Sequence, residues 1–394
     1  MKRFFIVFTA LFLCFSCMSS FAFAQEEKQN DGTKTELADE AKSAVLIERD
    51  TGAVLYEKNS HERLPPASMT KIMTMILIME ALQEGRLHWN DKVRTSEKAA
   101  SMGGSQIFLE PGEEMTVSDM LKAIAVGSAN DASTAMAEQI AGSEQEFVEM
   151  MNKKAKELGL KDTKFQNPTG LPAKDHYSSA YDMALMAKEL LKYKPITKYT
   201  GLYESYLREN TDKKFWLVNT NKLVKHYPGV DGLKTGFTND AKYCLTATAK
   251  KNNMRVIAVV FGAPTPKSRN AQISKMLDYA FARYETSPLY QQGETLGQVK
   301  VSKGKKAKID AKTAENVSVL VKRGEKLNKL QRDIRLKKNI KAPVYKGDKV
   351  GELILKKEGK ILSKTPLISE ENVEKAGWWQ FYKKAFNLFS KAEE

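Results

Sequence analysis

Residues 68–81 read SMTKIMTMILIMEA, and this run decides how the rest of the chain must be arranged. Apolar residues are nearly continuous across it, so a helix built from it has no face suited to water. A helix apolar all round is a buried central helix, and other elements must wrap it. Pro65-Pro66 stop the chain just before it, which places Ser68 near the helix start. Lys71 follows three residues later, a cation in an otherwise apolar segment. Positions i and i+3 share a helix face, so its amine can approach the Ser68 hydroxyl.

Upstream, the apolar runs 44–47 (AVLI) and 53–56 (AVLY) flank Asp50-Thr51-Gly52, the pattern of a β-hairpin. Residues 25–41 are polar and read as a flexible lead-in that ends, at most, in a short helix. Before them, Lys2 and Arg3 precede an apolar stretch from Phe4 to Cys17 and the small-residue end Ala22-Phe23-Ala24. That is a secretory signal peptide, residues 1–24, and its apolar stretch is short for spanning a bilayer. Cys14 and Cys17 leave with it, so Cys244 remains alone, with no internal disulfide and the character of a small buried hydrophobe.

Downstream, helical stripes occupy 116–141, 144–158 and 179–193. The period then shifts to strands at 230–237, 243–249 and 255–262, with a tight turn at Asn252-Asn253, and returns to helix over 269–285. These elements predict an α/β (α+β) domain over residues 42–287, an antiparallel sheet packed with helices. After Ser287-Pro288, short alternating segments at 298–301, 317–321 and 350–355 predict a small all-β domain over 288–372. It holds 21 Lys/Arg against 10 Asp/Glu, a large part of the net charge of +15. Such an excess favours anionic surroundings, and secretion argues against nucleic acid. Residues 375–391, KAGWWQFYKKAFNLFSK, set aromatics opposite lysines at helical spacing. Over 373–394 this predicts an amphipathic helix lying in a membrane interface, with docking on its own domain as the alternative.

Three strings carry chemistry. Ser68-Met69-Thr70-Lys71 offers a nucleophile and a base, provided burial or a neighbouring cation lowers the lysine pKa. About two or three Ser-x-x-Lys strings are expected by chance in such a chain, so this one alone proves nothing. Ser128-Ala129-Asn130 is the second string. Lys234-Thr235-Gly236, the third, opens the strand region and is rarer, at about 0.1 to 0.2 chance occurrences. Together and in this order they match the set shared by penicillin-binding proteins and serine β-lactamases. No metal or cofactor is implied: His61, His88, His176 and His226 show no metal-ligand spacing, and no phosphate loop occurs.

With Pro66-Ala67-Ser68, Gly104-Ser105, Asn167-Pro168-Thr169-Gly170-Leu171 and the Arg269 region added, the chain resembles the low-molecular-mass D-alanyl-D-alanine carboxypeptidases. These are serine penicillin-binding proteins of the peptidase S11 type with a β-lactamase/transpeptidase-like fold. The resemblance covers nearly everything after the leader and extends to the sporulation-associated members of endospore formers. It implies that Ser68 attacks the carbonyl between the two terminal D-alanines of a peptidoglycan stem, with Lys71 as base and Ser128 as proton relay. It implies that Asn130 holds the peptide backbone and that Lys234, Thr235 and Arg269 bind the terminal carboxylate. The backbone N–H groups of Ser68 and Phe237, beyond Gly236, would form the oxyanion hole. β-Lactams would acylate the same serine, and the enzyme would sit on the outer face of the cytoplasmic membrane. Some members have histidine where Phe237 stands, which touches side-chain tuning of deacylation but not the backbone donor. Arg269 has a local alternative, pairing at its own helix start. Two rivals remain, a secreted serine β-lactamase and a non-catalytic wall-binding protein. The first lacks a Glu-x-x-Leu-Asn loop here, and the second leaves five intact site residues without a role.

Overall fold

The computed structural model describes residues 36–325 and 329–377. Five antiparallel strands form the central sheet: β1 (Ser43–Glu48), β2 (Val54–Lys58), β3 (Val230–Thr238), β4 (Lys242–Lys251) and β5 (Met254–Ala263). Their order is β2-β1-β5-β4-β3, so the hairpin at the start of the domain lies beside its last strand and β3 forms an edge. The strands look continuously apolar because both faces are covered. Val45, Ile47, Ile257, Val259 and Phe261 face one core, while Ala44, Leu46, Val256, Ala258 and Val260 face the other. This is the period-two alternation of a pleated strand with both sides dry.

On the first face lie α1 (Lys71–Gln83), α2 (Asn130–Ala141), α3 (Glu144–Glu157) and α4 (Ala180–Leu190). Every residue of α1 from Lys71 to Met79 is buried, as its sequence demands. On the second face α5 (Pro266–Arg283) covers the sheet with Ile273, Met276, Leu277 and Ala280.

Several expectations are corrected here. The lead-in does not stay loose to residue 41: Leu37, Ala38 and Ala41 are buried against the α5 side of the sheet, with no helix. Three small or apolar side chains around a turn were enough to dock this segment. The stripe 116–141 is not one helix. Thr116 caps a short helix, Val117–Lys122, a π-turn follows over Ala123–Gly127, and Ser128 takes a left-handed φ of 64° before α2 begins. The last helix begins earlier, at Pro266, because Thr265 accepts the Ser268 N–H and proline suits the first helical position. It ends at Arg283, where strand takes over.

That strand, β6 (Tyr284–Tyr290), places the change of architecture before Ser287-Pro288. It pairs with β9 (Val317–Lys322), and its register shifts between Pro288 and Tyr290, an irregularity where proline is tolerated. The other strands of this C-terminal part are β7 (Thr295–Ser302), β8 (Lys308–Thr313), β10 (Leu330–Leu336), β11 (Asn339–Lys341), β12 (Lys349–Lys357) and β13 (Lys360–Ile368). They form one sheet in the order β10-β12-β13-β8-β7-β11 around a core that includes Val299, Ile309, Leu353 and Leu367. Ser318 Oγ donates to Asp50 Oδ2 at 3.0 Å and Arg323 Nε to the Phe281 carbonyl at 2.9 Å, joining this part to the first.

The terminal helix does not begin at residue 373. Val373 pairs with Val344 and Lys375 with Gly304, because the extended chain here completes backbone pairing on the β-rich part. Its remainder from residue 378 lies outside the described residues, as do residues 1–24.

Candidate active site

The three strings meet where α1, α2 and the edge strand β3 converge. Ser68 lies in the single 3₁₀ turn Ala67–Thr70 that leads into α1, and Ala67 before it holds a left-handed φ of 46°. Ser128 is itself left-handed. Non-glycine residues rarely adopt this conformation, so the backbone on both sides of the site is held there by its surroundings.

Lys71 is fully buried, and its Nζ stands 3.2 Å from Ser68 Oγ, 2.6 Å from Asn130 Oδ1 and 2.7 Å from the Thr169 carbonyl. Burial lowers its pKa well below the usual lysine range, the positive charge of Lys234 adds to this, and Asp131 opposes it. A neutral amine has two N–H donors and one lone pair. Asn130 and Thr169 take the two donors, which leaves the lone pair for the Ser68 hydroxyl. The arrangement can therefore draw a proton from Ser68 without any histidine.

Asn130 is pinned in turn. Its N–H donates to the Ser105 carbonyl and its Nδ2 to Gly103, both at 2.7 Å. Gly104 has a φ of +81°, and a Cβ there would stand 2.8 Å from Asn130 Nδ2, so the loop requires glycine at closest approach. Ser128, two residues earlier, is buried.

On the opposite side, β3 runs against the Ser68 turn. A Cβ on Gly236 would lie 2.7 Å from the Pro66 carbonyl and 3.3 Å from Met69 N. Only glycine lets the strand come this near. Phe237 follows with half its surface exposed, its ring stacked on Tyr243 at 4.5 Å. Lys234 is buried, its Nζ donating to the Thr235 carbonyl, and Thr235 Oγ1 pairs with Thr220 Oγ1 at 2.7 Å. Burial first, and then the Arg269 charge, lower the Lys234 pKa to about 7. Arg269 lies in the first turn of α5, and its Nε and Nη2 donate to Asn270 Oδ1 at 3.1 and 3.0 Å. It thus makes the local pairing and also acts on Lys234.

Three participants had no signal of their own in the reading of single residues. The Thr169 carbonyl is a backbone group, although its loop was part of the resemblance. Asp131 accepts the Ile107 and Leu109 N–H groups at 3.0 and 3.1 Å, fixing the loop before the second string. Thr220 stands between Asn219, whose amide donates to the Thr200 and Leu202 carbonyls, and Asn221, whose amide donates to the Gly232 carbonyl. Among the described residues no cluster of His, Cys, Asp and Glu could hold a metal ion.

Comparison with known proteins agrees with this geometry. Residues 29–265 match the family described as D-alanyl-D-alanine carboxypeptidase, Peptidase S11, and residues 284–375 match the penicillin-binding protein 5 C-terminal domain. The D-alanyl-D-alanine carboxypeptidase DacF of Bacillus subtilis is 65% identical over 372 residues, 94% of this chain and 96% of the relative. DacA of Escherichia coli is 33% identical over 86% of this chain and 85% of its own length. Among solved structures, penicillin-binding protein 5 from Haemophilus influenzae superposes with a TM-score of 0.66 at 32% identity, covering 85% of this chain and 98% of that one. Penicillin-binding protein D2 from Listeria monocytogenes, solved in an ampicillin-bound form, gives 0.56 at 30% identity over 61% of this chain and 98% of its own. With three strings drawn into one site and both of its parts matched, the chain belongs to the D-alanyl-D-alanine carboxypeptidase family.

Proposed function

We propose that this protein removes the terminal D-alanine from peptidoglycan stem peptides through an acyl-enzyme on Ser68, and that β-lactams acylate the same residue. One observation carries the proposal: a buried amine held by Asn130 Oδ1 and the Thr169 carbonyl, with Ser68 Oγ 3.2 Å away as its third neighbour.

An extended peptide would lie along the free edge of β3, where backbone groups stand ready to pair. Ser68 attacks the penultimate D-alanine carbonyl while Lys71 takes its proton. The Ser68 and Phe237 N–H groups receive the charge that develops on the carbonyl oxygen, the point at which preorganised donors contribute most. Ser128 passes a proton to the departing D-alanine nitrogen. Lys234, Thr235 and Arg269 hold the carboxylate, and Asn130 orients the peptide as well as Lys71. Water then releases the shortened stem, with Lys71 again as base.

The direct test is release of D-alanine from a pentapeptide ending in D-Ala-D-Ala, beside mass mapping of a penicillin adduct. An adduct on the Ser68 peptide that blocks D-alanine release is expected. Folded protein that forms neither product would overturn the reading.

Lys234 adds a pH dependence. With a pKa of about 7, its ammonium is lost as pH rises through neutrality, and with it part of the attraction for a carboxylate. KM for a substrate with a free terminal carboxylate is therefore expected to rise several-fold between about pH 6 and 9. An ester or amide lacking that carboxylate should show no such trend, which steady-state kinetics on both substrates would reveal.

Residues 1–24 and 378–391 support a place on the outer face of the cytoplasmic membrane, through export and an interfacial helix. Loss of membrane sedimentation on deletion of residues 378–394 would support that placement, and unchanged sedimentation would count against it.

A further inference from the structure

We infer that His176 is a positioning residue for acylation, tying the turn that carries Ser68 to the loop whose Thr169 carbonyl holds Lys71. The inference rests on the acyl-enzyme reading above and names a residue that the three strings do not contain.

His176 is buried, and both of its ring nitrogens are engaged. Nδ1 accepts the Gln166 backbone N–H at 3.1 Å, which leaves the proton of the neutral ring on Nε2. Nε2–H then donates to Thr70 Oγ1 at 2.8 Å. Burial lowers the His176 pKa to about 4, so the ring stays neutral near pH 7 and keeps one donor and one acceptor.

Thr70 stands between the nucleophile and the base. It occupies the position before α1, where a threonine hydroxyl ordinarily caps the helix. Here its backbone is already helical and its side chain makes no cap bond. The hydroxyl is turned across to His176 instead.

The other end of the tie is equally specific. Gln166 opens the loop in which Asn167 Oδ1 accepts the Thr169 N–H, the Thr169 hydroxyl and the Gly170 N–H. This cradle aims the Thr169 carbonyl at Lys71. Gly170 has a φ of +83°, and a Cβ there would fall 1.8 Å from the Ala67 carbonyl, so loop and turn touch through bare backbone. Thr74 Oγ1 makes one parallel tie, to the Pro168 carbonyl at 2.7 Å, a turn further along α1. His176 thus spans the two segments whose separation sets the Lys71–Ser68 geometry. A shift of about 1 Å in such geometry can cost two orders of magnitude in rate.

The test is the acylation rate constant and the non-covalent dissociation constant for a chromogenic or fluorescent penicillin, measured on the full chain by stopped flow. His176→Ala and Thr70→Val are each expected to slow acylation by about tenfold or more while the dissociation constant stays within about twofold. The double variant should lose no more than the slower single one, because both remove the same tie. His176→Gln, whose amide supplies an acceptor and a donor, should recover to within about threefold of wild type. Acylation by folded His176→Ala at the wild-type rate, or His176→Gln no better than His176→Ala, would overturn the inference. Should His176→Ala not fold, Thr70→Val decides, since it keeps the imidazole and its bond to Gln166; an unchanged rate there is equally fatal. Failure of the acyl-enzyme reading looks different, because wild type itself would then form no adduct.

Discussion

Replacing Lys71 by methionine is expected to slow acylation of Ser68 by about 10³- to 10⁴-fold, the upper range for loss of a general base. The methylene stem remains, so the packing of α1 against its neighbours is largely kept. Asn130 Oδ1 and the Thr169 carbonyl each lose a donor, which costs stability, but a buried amine is no longer desolvated, which offsets it. Lys71→Arg separates two explanations. A guanidinium keeps the charge and the donors but cannot give up a proton near neutrality. If Lys71 serves as base, arginine should be nearly as poor as methionine. If it serves only as a cation, arginine should retain most of the rate. Time-resolved labelling with a fluorescent penicillin reads both. The wild-type rate should fall as pH falls through the lowered Lys71 pKa, because only the neutral amine has a lone pair to offer.

Gly236→Val is expected to slow acylation by about 10²- to 10³-fold, the loss associated with a missing oxyanion donor. The first carbon of any side chain there would meet the Pro66 carbonyl at 2.7 Å and the Ala67 Cβ at 3.1 Å. Neither can withdraw easily, since both belong to the turn that presents Ser68. The strand must therefore move away from the turn, which under the proposed mechanism separates the Phe237 and Ser68 N–H donors. Gly236 stays paired with Cys244 in the sheet, so the domain should still fold, with a melting temperature a few degrees lower. Acylation and melting measured together give the check. A variant that melts lower yet acylates at the wild-type rate would show that the close approach serves packing alone.

Much of this protein was legible before any coordinates. The run 68–81 demanded a buried helix because it has no polar face, and α1 is buried throughout its first nine residues. The strands read at 230–237, 243–249 and 255–262 followed from the shift to a strand-like period and from the asparagine turn between the last two, and the structure lengthens each by one to three residues. Ser68, Lys71, Asn130 and Lys234 could be singled out because three such strings in a fixed order seldom occur together by chance. What failed had a common cause. A helical stripe extends across residues 116–141, yet the chain breaks at Ser128, because apolar spacing does not record a left-handed residue held by contacts elsewhere. Leu37, Ala38 and Ala41 are too few to show a period, but the sheet offered them a face.

Residue types and their order thus determined the elements, the central helix and the pairing of the Ser68 hydroxyl with the Lys71 amine. Only the tertiary structure decided which backbone carbonyl meets the lysine amine, why glycine must stand at 104, 170 and 236, and which groups His176 joins. Side-chain chemistry is written residue by residue, whereas a carbonyl's direction and the clearance beside a glycine arise only when distant segments meet. The lowered pKa of Lys71 and of Lys234 belongs to the same class: each is an ordinary lysine in sequence, shifted by burial and by a cation that folding brings near.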